Sequence, residues 1–169
     1  MSILDTERLS LRSITLKDAA FILELLNDPA FLRFVGDKGV RTVDEAREYI
    51  ARGPQASYAR NGFGLWLVEL KASRVPVGIC GLLKREALSD VDLGFAFLPH
   101  YRSNGYAYES AAAVLQYGRN ALGIKRIVAI TNPDNADSLR VLKKIGMSFE
   151  QMIRLAEDEL EVKLLVSDA

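Results

Sequence analysis

The apolar run Val91-Asp92-Leu93-Gly94-Phe95-Ala96-Phe97-Leu98-Pro99 is closely followed by Arg102-Ser103-Asn104-Gly105-Tyr106-Ala107, which opens a helix-like stretch to Asn120. A strand, a short turn and a helix start in that order constrain this chain more than any other segment. They gather backbone N–H groups that have no partner inside the helix, and the helix dipole adds positive potential at the same place. Such a place suits phosphate. Gly105 lets a ligand come close to the backbone, and Arg102 adds a planar, permanently charged fork. Taken alone, the spacing R-x-x-G-x-A also fits an ordinary turn with a solvated arginine.

The segments around it set the fold class. Arg8 to Ile14 alternates apolar and polar residues and predicts a half-buried strand. Thr15 caps the next helix, whose apolar face is Ala20, Ile22, Leu23, Leu25 and Leu26, and Asn27-Asp28-Pro29 stops it. Pro29 to Val40 reads as irregular. Thr42 and Glu45 have capping-box spacing for a second helix to about Arg60, with a break at Gly53-Pro54. Phe63 to Leu70 and Pro76 to Lys84 read as a hairpin, and Val91 to Leu98 as the third strand of that meander. Arg126 to Thr131 is a short β-branched strand, and a turn through Asn132-Pro133-Asp134-Asn135 leads to a helix from Ala136 to Ile145. Leu139, Leu142 and Ile145 form its buried stripe, and Gly146 follows its end. Ser148 to Ile153 and Leu160 to Val166 are two last strands. The order β-α-α-β-β-β-α-β-α-β-β predicts a mixed sheet in an α+β layer fold. With no linker or repeat, one domain over residues 1–169 is expected.

Composition narrows the function classes. Twenty-two basic residues balance twenty-two acidic ones, and this zero net charge gives no support for broad nucleic-acid binding, which usually needs a basic face, although it leaves room for local patches. One histidine, His100, and one cysteine, Cys80, make a zinc site unexpected. Cys80 lies in an apolar run and reads as a buried, inert thiol. The sequence has no apolar run long enough to span a membrane and no basic-then-apolar leader, so a soluble cytoplasmic protein is expected. It fits a monomer or a homodimer equally.

Several motifs, in order, carry a resemblance. R-x-x-G-x-A at Arg102–Ala107 resembles the acyl-CoA pyrophosphate loop of the GNAT family of N-acetyltransferases. Asn135-Ala136-Asp137-Ser138-Leu139-Arg140-Val141-Leu142-Lys143-Lys144-Ile145-Gly146-Met147 resembles the family's N-x-x-S-x-x-L-x-x-K-x-G-F segment, with Met147 in place of the aromatic. Thr6-Glu7-Arg8-Leu9-Ser10-Leu11-Arg12, Asp92-Leu93-Gly94-Phe95 and Gly105-Tyr106-Ala107-Tyr108-Glu109 look like the RimJ/RimL-like branch, the ribosomal-protein-alanine N-acetyltransferases. The likeness runs from about Thr6 to Val166.

The resemblance implies a mostly antiparallel sheet with helices on both faces. It also implies that the strand ending at Leu98 and the one beginning near Arg126 splay apart. Acetyl-CoA is then the cosubstrate, with no metal, and a primary amine the acceptor, a protein N-terminus or a small molecule. The pyrophosphate falls to Arg102, Ser103, Asn104, Gly105, Tyr106 and Ala107. The pantetheine arm falls to the backbone of Phe95, Phe97 and Leu98 and to Asn135, and a backbone N–H of the Phe97-Leu98 region serves the oxyanion. Ser138 is the candidate proton donor to the leaving thiolate. Asp92 stands where the branch has a glutamate and is the candidate to help deprotonate the amine. Read as residues, Ser138 also fits a local helix serine, Asp92 a solvated strand carboxylate, and Glu109 an acid stabilised at a helix N-terminus. The alternative to an enzyme is a non-catalytic CoA-binding or sensor module. A dinucleotide fold is disfavoured, since no G-x-G-x-x-G or G-x-x-x-x-G-K-[ST] is present.

Overall fold

The structure, a computed structural model, describes residues 1–168; Ala169, the last residue of the expected domain, lies outside the described residues. Eight strands form one sheet in the order β1-β2-β3-β4-β5-β6-β8-β7. They are β1 (Ser2–Asp5), β2 (Leu9–Ser13), β3 (Leu65–Leu70), β4 (Pro76–Leu83), β5 (Val91–Phe97), β6 (Arg126–Thr131), β7 (Ser148–Ile153) and β8 (Val162–Asp168). All neighbours are antiparallel except β5 and β6, which run parallel. The helices are α1 (Ala19–Leu26), α2 (Pro29–Phe34), α3 (Val43–Ile50), α4 (Ala56–Asn61), α5 (Tyr106–Asn120) and α6 (Ala136–Lys144). The expected α+β sheet with helices on both faces is therefore present.

Strand alternation sends successive side chains to opposite faces, and two cores result. On one face Leu9, Leu11, Val68, Leu82 and Leu93 pack against Ala111, Val114 and Leu115 of α5. On the other, Leu67 and Ile79 pack against Ile22, Leu25 and Leu26 of α1 and Ala46 and Ile50 of α3. Each buried aliphatic side chain contributes about 1.5–3 kcal/mol. The close packing of β4 on β5 depends on Gly78: a Cβ there would fall 2.5 Å from both the Ala96 carbonyl oxygen and the Phe97 ring.

Four local expectations are corrected. The turn before Leu9 is preceded by a strand, β1, whose four residues are too few to show an alternation. Pro29–Val40 is not wholly irregular, because Asp28 accepts a hydrogen bond from the Phe31 N–H and starts α2, with Pro29 at its first position. Asn27-Asp28-Pro29 thus ends one helix and begins another. The chain stays helical through Gly53-Pro54, where Ala51–Gln55 widens into a π-helical turn that accommodates the proline. The last strand starts at Val162 rather than Leu160, which is exposed.

Candidate active site

The parallel pair β5/β6 is joined only at Val91–Ile127 and Asp92–Val128. Beyond Asp92, β5 continues along β4 while β6 continues along β8, so the two strands diverge. The backbone facing the gap follows from the ladder. Leu98 N–H donates to the Val77 carbonyl at 3.0 Å. In an antiparallel ladder only alternate residues bond to a given neighbour. Ala96 and Gly94 therefore also face β4, and Phe95 and Phe97 turn their N–H and C=O groups toward the gap. This corrects one expectation: the Leu98 N–H is taken, and the open donors are those of Phe95 and Phe97.

The loop after β5 closes one end of the gap. Ser103 (φ 64°) and Gly105 (φ 81°) are both left-handed. Gly105 is the N-cap of α5 and supplies no side-chain cap, so the first-turn N–H groups of a fifteen-residue helix stay open. Arg102 does not extend freely toward them. Its Nε donates to the Phe97 carbonyl at 3.0 Å and its Nη2 to Asp28 Oδ2 at 2.5 Å. Asn104 is exposed and donates from Nδ2 to the Arg102 carbonyl at 3.0 Å.

Helix α6 forms the opposite wall. Asn135 Oδ1 accepts from the Ser138 N–H at 3.2 Å, capping the helix. That bond uses the oxygen of the carboxamide and leaves its NH₂ available. The Ser138 hydroxyl is half-buried and, among the described residues, makes no hydrogen bond. A cavity of about 350 Å³ lies between these walls, lined by Phe95, Phe97, Arg102, Ser103, Gly105, Tyr106, Ala107, Asn135 and Ser138. Leu98, Asn104 and Asp92 are not on its wall.

Asp92 sits elsewhere on the same strand. It is 1% exposed, not solvated, and accepts from Arg85 Nε at 3.2 and 3.3 Å. Burial pushes its carboxyl above the ordinary range, and the Arg85 charge and hydrogen bonds only partly offset this. Its side chain shares a face with Ala96, toward α1 and α3, and lies three residues from Phe95, roughly 10 Å along an extended strand. Arg85 in turn is within electrostatic reach of Tyr49 on α3. His100 is exposed and stands edge-on to Tyr101. Cys80 is fully buried, and burial pushes its thiol up to about 12.

Residues that motif reading did not reach also shape the site. Phe31 and Phe34 of α2 line the cavity, and Asp28 holds Arg102. The Asp-Pro start of α2 was the signal available for them. Arg85 lies in a loop with no pattern of its own, and only the fold brings it to Asp92.

A strand pair that opens partway, with an uncapped helix start at one end and a free serine on the facing wall, is a specific arrangement. A family model described as an acetyltransferase (GNAT) domain matches residues 8–148. The chain belongs to the GNAT acetyltransferase family. Its activity is accordingly acetyl-CoA-dependent N-acetyl transfer. The uncharacterized N-acetyltransferase YnaD of Bacillus subtilis (strain 168) is 30% identical over 145 residues, 86% of this chain and 82% of that protein. A GNAT-family acetyltransferase from Bacillus anthracis has the same fold, with a TM-score of 0.81 at 26% identity over 98% of this chain and 97% of that one. RimL, a ribosomal alpha-N-protein acetyltransferase solved in complex with coenzyme A, superposes with a TM-score of 0.85 at 17% identity, covering 99% of this chain and 98% of its own. At that identity RimL speaks for the fold. Among the described residues no group of His, Cys, Asp and Glu side chains could hold a metal ion, and no helix is long and apolar enough to cross a membrane.

Proposed function

We propose that this GNAT enzyme, a single catalytic domain, acetylates a primary amine of low basicity, foremost the α-amine of a peptide or protein N-terminus. The observation that carries the reading is the open edge of β5, where Phe95 and Phe97 face a cavity that runs from the α5 N-terminus to Ser138. The backbone from Arg102 to Ala107 receives the pyrophosphate, with Arg102 shaping the loop through Phe97 and Asp28. The amides of the pantetheine arm pair with Phe95 and Phe97 and with the free NH₂ of Asn135. An N–H of that strand edge stabilises the tetrahedral oxyanion.

The amine nitrogen attacks the thioester carbonyl carbon; the C–S bond then breaks and the thiolate leaves. Ser138 gives the thiolate a proton and recovers one from solvent. The attacking amine must lose a proton, and Asp92 receives it through water, since roughly 10 Å of strand separates it from the reacting region. A raised carboxyl suits a base at neutral pH better than an ordinary aspartate.

The demand on that base favours weakly basic amines. At pH 7 roughly a tenth of an α-amine with pKa about 8 is neutral, and far less of a lysine near 10.4. The balanced charge also gives no general attraction for a polycation. The test sets free-N-terminus peptides against spermidine and against lysines in blocked peptides, following thiol release from acetyl-CoA. Higher kcat/KM for spermidine overturns the α-amine reading. Coenzyme A binding with no turnover across peptides and small amines would favour a non-catalytic module.

A further inference from the structure

Beside the loop lies an arginine that the site so far leaves unused. Arg8 belongs to the turn between β1 and β2, and three contacts fix it. Its Nε donates to Glu109 Oε1 at 2.7 Å, its own backbone N–H donates to Glu109 Oε2 at 2.9 Å, and its guanidinium carbon lies 4.6 Å above the centre of the Tyr106 ring. Glu109 is itself held, accepting from Thr6 Oγ1 at 2.5 Å. The turn is tied down further by the Lys71 ammonium, which donates to the Thr6 carbonyl at 3.1 Å.

Of the three guanidinium nitrogens, this clasp uses only Nε as a hydrogen-bond donor. Nη1 and Nη2 make no hydrogen bond among the described residues. Nη2 stands 3.2 Å from the point where a Cβ of Gly105 would be, directly against the helix cap. Arg8 is not on the cavity wall but beside it, and the two arginines that are on the wall are engaged by carboxylates, Arg102 by Asp28 and Arg140 by Asp137. Arg8 is thus a guanidinium with two free donor groups, immobilised beside an uncapped helix start. It also answers an electrostatic problem. Glu109 places a negative charge in the first turn of α5, where it repels an anion, and Arg8 offsets that charge.

We infer that Arg8 binds the phosphates of the acyl donor's nucleotide, with Glu109 and Tyr106 as the residues that position its guanidinium. The inference rests on the reading that those phosphates sit on the Arg102–Ala107 loop. A fixed guanidinium fork suits phosphate oxygens, and little side-chain freedom remains to be lost on binding.

Calorimetry with coenzyme A, dephospho-coenzyme A and pantetheine tests it without need of an acceptor. Arg8→Gln should weaken coenzyme A at least tenfold and leave pantetheine binding unchanged. A loss that persists with dephospho-coenzyme A assigns Arg8 to the pyrophosphate; a loss confined to coenzyme A assigns it to the 3′-phosphate. Either supports the inference. The double variant Arg8→Gln/Glu109→Gln separates a ligand from a mere neutraliser of Glu109. Continued weak binding is expected, and full recovery overturns the inference. So does wild-type affinity in Arg8→Gln, or an equal loss for pantetheine, which would mean general damage to the fold. Wild-type protein that fails to bind coenzyme A at all would instead sink the placement of the nucleotide on this loop, and the role of Arg8 with it.

Discussion

At its C-terminal end β5 turns the N–H and C=O groups of Phe95 and Phe97 toward a cavity, while at its N-terminal end it is paired on both sides and buries Asp92 against Arg85. Asp92 and Phe97 are about 17 Å apart along one strand. The difference comes from the neighbour. Where β6 runs alongside, the backbone is satisfied and any chemistry must come from a side chain. Where β6 departs to follow β8, the backbone itself becomes the binding surface. A backbone surface tolerates changes in side chains that keep the strand, whereas the Asp92 end depends on one carboxylate and its arginine.

Substitutions can break this contrast. The largest effect is expected at the open end: Ser138→Ala should lower kcat about a hundredfold with little change in KM for acetyl-CoA. Full activity in steady-state assays would show that water protonates the thiolate and that the open end acts through backbone alone. Gly105→Asp should cost an order of magnitude or more in coenzyme A affinity by calorimetry. The new carboxylate faces the phosphates, and the left-handed φ of 81° suits glycine. Unchanged affinity would move the pyrophosphate off this loop.

At the closed end, Asp92→Asn should reduce kcat/KM about tenfold and change the pH profile. In the wild type, activity falls on acidification as Asp92 takes up a proton, at a pH above the ordinary aspartate value of 3.8 because burial raises it. In the asparagine variant the acidic limb should move up toward the acceptor amine's own pKa. An unshifted profile would reduce Asp92 to a structural partner of Arg85.

The smallest effect concerns stability. Burial raises the Glu109 carboxyl, but the hydrogen bonds from Thr6 and from the Arg8 backbone and side chain outweigh it, leaving the group below its ordinary 4.5. A depressed carboxyl contributes stability that is fully present above 4.5 and is lost as pH falls through the folded-state value. Glu109→Gln should therefore lower stability by about 1–2 kcal/mol at pH 7, and the gap should close in acid. Thermal melts across that range check it; a gap independent of pH would mean that the clasp is steric rather than ionic.

Much of the open end was legible in the chain. Gly105 following Arg102, and Asn135 three residues before Ser138, are local patterns, and helix starts and caps depend on residues close in sequence. The closed end was not. Asp92 reads as a solvated strand residue because nothing beside it announces burial, and Arg85 sits in the loop between β4 and β5 with no periodicity. Arg102 reads as a free phosphate fork, yet Asp28, seventy-four residues earlier, claims its Nη2. Arg8 was visible only as part of a strand motif, because Glu109 lies one hundred and one residues away.

The sequence by itself determined most of the strands and helices in their order, though not β1 or α2, and the helix start after Gly105, because these follow from periodicity and capping over a few residues. Tertiary structure decided which backbone groups stay open, where Asp92 is buried, and which arginines remain available to an anion. Those depend on β6 leaving β5 and on ion pairs between distant segments, and such contacts form only when the whole sheet brings their partners within a few ångströms.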